Sequence, residues 1–178
     1  KPSKYFDSQL GKILKNFDFI WKPKKSENSH IEKFNEKFSN EFEEILEKVL
    51  ERVPILVNRS VEFLEWRYNQ HPTRDYQTFI LKEDGHIKGY IICRITTVNT
   101  KRIGVIVDFL INADTKDKNN LKNLVEIAIN ELYNNGASVI IATFNDKFLE
   151  GEILKKSGFF KAPEFLKPES LNCIIMPF

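Results

Sequence analysis

One acidic side chain interrupts an otherwise apolar segment of this sequence. Residues 105–111 form a short run rich in β-branched side chains, which is typical of a strand buried on both faces, and Asp108 lies in the middle of that run. A carboxylate in such surroundings can take a proton from a substrate as a general base. It can equally be structural, at a strand bulge, where its oxygens accept hydrogen bonds from backbone N–H groups or from Arg67. The sequence leaves both interpretations of Asp108 open.

A second group of candidate residues lies at the end of a short predicted helix. Residues 59–68 have helical apolar spacing, Ser60 is a suitable N-terminal cap, and the helix is expected to end before His71, which precedes a proline. Arg67 would then lie in a substrate pocket, with Tyr68 or His71 in proton transfer. The alternative is that Arg67 pairs with a buried acid while Tyr68 fills core space.

The sequence offers no other arrangement that points to covalent or metal chemistry. Its Ser, Cys, His and Asp residues follow no persuasive triad order, and no cluster has the spacing of metal ligands, so we predict no metal site. Cys93 and Cys173 lie in apolar, strand-like runs. They are expected to be buried free thiols, as in proteins of a reducing compartment, which favours a cytoplasmic location.

The elements around Asp108 predict a parallel pair of strands. A polar loop at residues 112–120 is followed by a helix of regular apolar spacing, which Gly136 ends in the left-handed position after the last turn. A second buried strand follows at residues 137–144. Strand, helix and strand in this order form a right-handed βαβ unit. Ligands of such sheets bind at the carboxyl ends of the strands, here residues 110–120 and 143–146.

Three further strands and a last helix complete the predicted sheet region. Residues 76–82 and 86–98 are expected to form a hairpin around an Asp-Gly turn, with Gly89 at a bulge or a close approach. Asn145-Asp146 is expected to cap a helix that Gly158 terminates. A final strand is predicted at residues 171–176. The predicted fold class is therefore α/β (α+β), with antiparallel strands that lead into a βαβ unit and helices that flank the mixed sheet.

The N-terminal half is predicted to be helical after an extra segment. Residues 31–53 carry apolar side chains at helical spacing behind a capping box that begins at Ser29, with a break allowed at Ser39-Asn40. Residues 1–28 are interpreted as an extension, or the tail of a preceding domain, with a linker, and residues 29–178 as one domain. Because the chain begins with Lys1 rather than Met, we allow for a missing N-terminal domain.

Bulk composition argues against two classes of partner. The 178 residues include 27 basic and 25 acidic side chains, a net charge of +2, so nothing favours nucleic acid or an anionic membrane as the partner. No apolar run approaches the ~20 residues that a membrane-spanning helix needs. No signal peptide is visible.

The order of these elements resembles the GNAT superfamily, the Gcn5-related N-acetyltransferases, over residues 31–178. Three segments carry the resemblance, and residues 59–72 also resemble a "YLxWRY…HP" segment of some members. The three segments are Val107-Asp-Phe-Leu-Ile-Asn-Ala-Asp114 before the main helix, Thr143-Phe-Asn145 at a strand end and Leu154-Lys-Lys-Ser-Gly-Phe159 at the last helix.

The resemblance implies a site for acetyl-CoA in a split between the fourth and fifth strands. Main-chain groups of Leu110 and Ile111 would bind the pantetheine arm, and Asn145 would be the strand-end asparagine. The loop at residues 114–121 would offer N–H groups to the pyrophosphate, as helix N-termini do. Lys116 falls where the family has arginine. Lys118 and Asn119 belong to the same loop.

Two departures from the family pattern make a second interpretation necessary. Asp117, Asn119 and Leu121 stand where the family has glycines, and Leu154 stands where many members have a tyrosine that protonates the departing thiolate. We therefore keep two hypotheses: an N-acyltransferase that moves an acetyl or other acyl group from acyl-CoA to a small-molecule or peptide amine, and a non-catalytic GNAT-like module that binds a ligand or partner. Transfer from an acyl carrier other than CoA is a third, weaker option.

Overall fold

The structure is a computed structural model that describes residues 30–53, 56–98, 100–115, 118–145 and 147–161, with the backbone only for Lys118. The elements belong to one compact unit, Lys22–Phe159. In chain order they are β1 (Ile31–Phe34), α1 (Asn40–Leu50), α2 (Val61–Leu64) with a π-helical turn (Glu65–Asn69), β2 (Gln77–Glu83), β3 (His86–Val98), β4 (Lys101–Ile111), α3 (Lys118–Asn134), β5 (Val139–Ala142) and α4 (Leu149–Lys156).

The described strands form one mixed sheet in the order β1-β2-β3-β4-β5. β1 to β4 are antiparallel neighbours, and β5 pairs with β4 in the parallel direction after the crossover through α3. Both the fold class and the βαβ unit predicted from the sequence are confirmed. Gly136, with a φ of 79°, ends the crossover connection as expected.

The first predicted element is wrong at its N-terminal end. Residues 31–34 form an edge strand, not a helix, because they pair with β2, with Ile31 opposite Leu81 and Phe34 opposite Thr78. Helix α1 begins only at Asn40, with Ser39 as its N-cap residue, so the break allowed at this point is real. The prediction was wrong because the helical spacing of apolar side chains extends from the helix back into residues 31–34, which form a strand.

The hairpin between β2 and β3 follows the prediction closely. Asp84 and Gly85 have φ values of 52° and 80°, as a tight turn with two left-handed residues requires. A bulge lies next to Gly89, where Leu81 pairs with Gly89 but Lys82 pairs with Ile87. A Cβ atom at Gly89 would come within 2.9 Å of the Ile111 side chain, so β3 approaches the end of β4 closely at this point.

Helices cover both faces of the sheet. On one face, α1 buries Phe42, Ile45, Leu46 and Val49 in a core that also contains Tyr68, Tyr90 and Ile92. On the other face, α3 buries an apolar stripe that contacts β3 and β2. Cys93 of β3 is a buried free thiol, as predicted, and burial together with the charge of Glu131 raises its pKa to about 12.

The segment after α1 holds one predicted cap and one unexpected distortion. The Ser60 hydroxyl accepts a hydrogen bond from the Phe63 N–H at 3.3 Å, which confirms the cap. The helix then widens, and the Gln70 N–H donates to the Glu65 carbonyl at 2.9 Å in a five-residue π-type turn. Tyr68 lies within this turn and is buried.

The last helix is placed differently from the prediction. Helix α4 has Phe148 as its N-cap residue and begins at Leu149, so Asn145 is not its cap. Asn145 instead accepts a hydrogen bond from the Lys147 N–H at 3.0 Å. Gly158, with a φ of 99°, follows the helix as predicted.

Several predictions concern residues outside the described ranges. They include the extension at residues 1–28, the final strand at 171–176 and Cys173, and they remain predictions. Within the described ranges, none of the helices has the length and apolar character needed to cross a membrane.

Candidate functional site

The two parallel strands separate at the edge of the sheet. β4 and β5 pair only from Ile103 opposite Val139 to Ile106 opposite Ala142. A cavity of about 210 Å³ lies against the unpaired strand ends. Its lining side chains come from the ends of both strands, from α1 and the segment after it, and from the start of α4: Val49, Val53, Leu56, Arg59, Val107, Asp108, Phe109, Leu110, Thr143, Phe144, Asn145, Phe148 and Glu150.

Asp108 lies at a bulge of β4 and is held from several sides. Opposite Asp108 is Ile92, but the next residue of β3, Cys93, pairs with Ile106, so β4 has one extra residue here. The Asp108 side chain accepts hydrogen bonds from Arg59 Nε at 2.9 and 3.0 Å, from the Tyr68 hydroxyl at 3.0 Å and from the Phe109 N–H at 2.9 Å. With only 2% of its surface exposed, this carboxylate is a buried and well-satisfied charge.

The ion-pair partner of Asp108 is Arg59, not the expected Arg67. Arg59 also donates to the Val57 carbonyl, at 2.8 Å from Nη1. Burial lowers the pKa of the Arg59 guanidinium, but the charge and hydrogen bond of Asp108 outweigh burial and raise it. Sequence reasoning missed Arg59 because the two residues are 49 positions apart. Its place directly before the Ser60 cap, at the start of the helix that carries Tyr68, is the signal that was available.

The three candidate residues after α2, which are Arg67, Tyr68 and His71, have different surroundings. The Tyr68 hydroxyl donates to Asp108, and burial and the Asp108 charge raise its pKa well above the ordinary range, which keeps the hydroxyl protonated. His71 Nδ1 accepts a hydrogen bond from the Thr73 N–H at 3.3 Å, and its ring contacts Tyr76. We call Asp108, Arg59 and Tyr68 the Asp108 cluster; Arg67 is half-buried, and its charge acts on the Tyr68 hydroxyl. Only Tyr68 of the three contacts Asp108 through a described hydrogen bond.

A second tyrosine, which the sequence did not single out, belongs to the same cluster. Tyr90 of β3 is fully buried, and within the described residues its hydroxyl has no hydrogen-bond partner. Burial raises the pKa of Tyr90, and the charge of Asp108 acts in the same direction. The cluster therefore contains a polar atom that is ready to accept or donate one more hydrogen bond.

The peptide groups at the end of β4 alternate in direction. The Asn112 N–H donates to the Lys88 carbonyl at 2.8 Å, which sets the phase of the antiparallel ladder. By this alternation, the N–H of Leu110 faces β3, and the N–H and C=O of Ile111 face the separation between β4 and β5. Of the two residues predicted to bind a pantetheine arm, Ile111 is the one whose amide can reach a ligand there. Leu110 contributes to the cavity lining.

An arginine joins three elements at this strand end. Arg52, just after α1, donates from Nη2 to the Ile111 carbonyl at 2.9 Å and pairs through both terminal nitrogens with the carboxylate of Glu150 in α4. The Glu150 side chain is 7% exposed. We call Arg52, Ile111 and Glu150 the clasp. The clasp could not be predicted from the sequence, because its members belong to three separate parts of the chain.

The loop before α3 is organised by Asn112. Its Oδ1 accepts the Asp114 N–H at 2.9 Å, and its carbonyl accepts the Thr115 hydroxyl at 2.7 Å. Lys116 lies outside the described residues, and only the backbone of Lys118 is described. Asn119 has an exposed side chain at the start of α3, where backbone N–H groups and the helix dipole favour an anion.

Leu121 is compatible with this start of the helix. Where the family has a glycine, positive φ angles that a leucine rarely adopts are accessible. Leu121 lies inside α3 with a buried side chain, so no such angle is required of it. Leu154 is buried in α4, where it presents no hydroxyl. Among the residues that the structure describes, no group of three or more His, Cys, Asp or Glu side chains could hold a metal ion.

No protein-family model matches this sequence, and no curated protein does. Many solved structures match the fold. They include a predicted acetyltransferase with acetyl-CoA from Clostridium acetobutylicum (18% identity, TM-score 0.59, 78% of this chain and 94% of that chain covered). The chain has the GNAT fold.

Two other matches show how widely the fold is shared. One is a ribosomal-protein-alanine N-acetyltransferase from Brucella melitensis biovar Abortus 2308, with 16% identity, a TM-score of 0.57 and coverage of 82% of this chain and 98% of that chain. The other is an aminoglycoside acetyltransferase from an uncultured soil metagenomic sample, with 13% identity, a TM-score of 0.54 and coverage of 83% and 93%. At these identities the likeness concerns the fold alone.

Proposed function

We propose that this protein is an N-acyltransferase that uses acetyl-CoA, or another acyl-CoA, to acylate an amine. The observation that carries the proposal is the cavity between the diverging ends of β4 and β5, which Asp108 lines and behind which the Ile111 peptide ends β4 with its carbonyl facing away from β3. The matching structures include an aminoglycoside acetyltransferase and a ribosomal-protein-alanine N-acetyltransferase, whose names indicate a small-molecule and a protein acceptor.

The described residues suit the thioester end of an acyl-CoA. When bound, it supplies a thioester whose carbonyl carbon an amine can attack, so that a C–N bond forms as the C–S bond breaks. The Ile111 N–H would stabilise negative charge on the carbonyl oxygen. Asp108, or a water molecule that it holds, would accept the proton of the attacking amine. Arg59 and Tyr68 would fix the carboxylate in position through the hydrogen bonds described above.

The residues that would bind the pyrophosphate group of acyl-CoA are less favourable for an anion. The start of α3 offers backbone N–H groups, and Lys116, Lys118 and Lys122 supply positive charge in the sequence. Asp114 and Asp117 oppose them, and no glycine allows a close backbone approach. We therefore expect most of the affinity for acyl-CoA to come from the pantetheine and acyl portions.

Thermal denaturation with acetyl-CoA tests the proposal directly. A ligand at 100 times its dissociation constant stabilises a protein by about 2.7 kcal/mol. In a chain of this size the melting temperature should then rise by roughly 5–10 °C. Adenosine 3′,5′-bisphosphate, which lacks the pantetheine arm, should give a much smaller rise. No shift with millimolar acetyl-CoA would contradict the proposal.

A variant that fills the cavity provides the control. Thr143 lines it from the end of β5 and is exposed, so Thr143→Trp should fold but lose the shift with acetyl-CoA, while Thr143→Ser should keep it. Release of free CoA in the presence of a mixture of amines then distinguishes binding from turnover.

Two contacts support the alternative function, a non-catalytic module that binds a ligand or partner. The oxygens of Asp108 already accept several hydrogen bonds, and Arg52 already donates to the Ile111 carbonyl. A protein that binds acetyl-CoA but releases no CoA with any amine would favour this alternative. Measurable turnover that disappears in Thr143→Trp would exclude it.

A further inference from the structure

A larger cavity lies elsewhere on the same sheet, beyond Asp108 along β3. Its volume is about 420 Å³, and it lies among the start of β2, the second half of β3, the start of β4 and the end of α3. Three arginines from three different segments line it, together with one carboxylate and several polar groups. We call Arg74, Arg94 and Arg102 with Asp75, Gln77 and Thr96 the arginine pocket.

The positive charge in the arginine pocket is poorly compensated. Within the described ranges, none of its three arginines forms a side-chain hydrogen bond or an ion pair, and Asp75 is the one carboxylate among the lining residues. Arg94 is half-buried. Burial lowers the pKa of its guanidinium, the nearby Tyr76 opposes this, and the charges of Arg74 and Arg67 lower it further. An oxyanion beside Arg94 and Arg74 would remove this repulsion and could form charge-assisted hydrogen bonds.

A buried amide oxygen adds a second unmet interaction. The Oε1 atom of Gln77 is shielded from solvent, and it has no hydrogen-bond partner among the described residues. Gln77 lies opposite Cys93 and so shares a face of the sheet with Arg102, whereas Arg94, which follows Cys93, points to the other face. Because a buried acceptor without a donor is costly, this position suits a ligand or water that can donate a hydrogen bond on the side of Arg102.

One arginine of the pocket, Arg94, shares a face of the sheet with Asp108. Asp108 is opposite Ile92, and Arg94 is two residues further along β3, so it points to the same face at about 6–7 Å along the strand. On that face, the rings of Tyr68 and Tyr76 are in contact, with centroids 5.1 Å apart. An amine that is held by its anionic group at Arg94 would lie on the face of the sheet that carries Asp108.

We propose that the arginine pocket binds the carboxylate or phosphate group of the acyl acceptor, so that the acceptor is an anionic amine. The acceptor role rests on the proposed function, whereas the binding of an oxyanion does not. Arg67, predicted from the sequence to bind substrate, would add positive charge between the pocket and Asp108.

The first experiment measures anion binding without acetyl-CoA. Inorganic phosphate and acetate are titrated into the protein by calorimetry at constant ionic strength. The anion that binds more tightly shows whether the pocket prefers a phosphate or a carboxylate group. Arg94→Gln should weaken binding at least tenfold, and Asp75→Asn should tighten it severalfold because it removes the opposing carboxylate. Lys101→Gln removes a nearby charge that does not line the pocket, and it should leave the affinity unchanged.

Two results would overturn the anion site. One is no binding of either anion at 50 mM. The other is an equal effect of Arg94→Gln and Lys101→Gln, which would indicate only the general charge of the surface. Melting temperatures of all variants within about 2 °C of the parent protein establish that the comparison concerns folded protein, and Arg74→Gln, at an exposed position, replaces Arg94→Gln if the latter unfolds.

The second experiment tests the acceptor role with matched amines. Ethanolamine, O-phosphoethanolamine and β-alanine are compared with acetyl-CoA as donor. The anionic amines should have a kcat/KM at least tenfold higher than ethanolamine, and Arg94→Gln should remove most of this preference. Equal kcat/KM values for neutral and anionic amines would overturn the acceptor role but would not contradict the proposed acyltransferase function. If no amine is acylated while phosphate still binds through Arg94, the proposed function fails and the anion site remains.

Discussion

At the scale of single residues, the site is built around a buried charge that the protein neutralises internally. Asp108 and Arg59 are mostly removed from water, with side-chain exposures of 3% and 15%. The attraction between two such charges roughly offsets the cost of their burial, but one of them without the other is strongly unfavourable. The pair therefore fixes the position of Asp108 next to the cavity, whatever its role in proton transfer.

We predict that Asp108→Asn destabilises the fold. The variant leaves the Arg59 guanidinium buried without its charge partner, and loss of one member of such a pair costs about 3–5 kcal/mol. Urea denaturation should show this loss, and the double variant Arg59→Gln/Asp108→Asn should recover part of it. Arg67→Gln is the matched control, since it removes the arginine that the sequence pointed to, and it should change stability little. If Asp108→Asn keeps its stability but loses turnover, the carboxylate is chiefly catalytic.

The two tyrosines near Asp108 should respond in opposite directions to loss of the hydroxyl. Tyr90→Phe removes a buried hydroxyl that has no described partner and should stabilise the protein by about 1 kcal/mol. Tyr68→Phe removes a donor to Asp108 and should destabilise it by about 1–3 kcal/mol. Melting temperatures measured by circular dichroism compare the two. A loss of stability in Tyr90→Phe would show that a bound water or ligand satisfies its hydroxyl.

At the scale of elements, sequence signals predicted the structure correctly where they depend only on the local backbone geometry of a few consecutive residues. The Asp84-Gly85 turn, the Ser60 cap and the glycines after two helices all follow from backbone geometry and were predicted. Residues 31–34 were not, because pairing with β2 overrode a helical pattern. The Asp108–Arg59 pair and the clasp were missed for a related reason: they join residues that only the folded chain brings together.

The close approach of β3 to the end of β4 provides a test at this scale. We predict that Gly89→Ala destabilises the protein by about 1–3 kcal/mol, because its new Cβ would lie 2.9 Å from Ile111 Cγ2 and 3.2 Å from the Leu110 carbonyl oxygen. Urea denaturation measures the change. Lys88→Ala, at the neighbouring bulge position, adds no atom near Ile111 and should cost clearly less. Equal effects of the two substitutions would mean that the strand ends have room to separate.

At the scale of the whole molecule, the candidate site is made where a sheet edge opens between helices from distant parts of the sequence. The end of β4 supplies Asp108 and Ile111, the region after α1 supplies Arg52 and Arg59, and α4 supplies Glu150. Any ligand that lies along the end of β4 must therefore accommodate the clasp, which joins α1, β4 and α4. On the proposed function, the clasp is therefore the place where ligand binding and the stability of the fold are coupled.

On the proposed function, Arg52→Met should change stability and ligand affinity in opposite directions. Without ligand, the variant leaves the Glu150 carboxylate buried without its partner and should melt at a lower temperature. If an N–H group of acetyl-CoA donates to the Ile111 carbonyl in place of Arg52, the lost contact opposes binding, and each ~1.4 kcal/mol of such opposition weakens binding tenfold. The variant should then bind acetyl-CoA more tightly, as measured by calorimetry. Lys48→Met, which removes an exposed charge in α1 with a weak surface ion pair, is the control for both measurements. An unchanged or weaker affinity in Arg52→Met would show that the clasp stays closed around the ligand and contributes to its binding site.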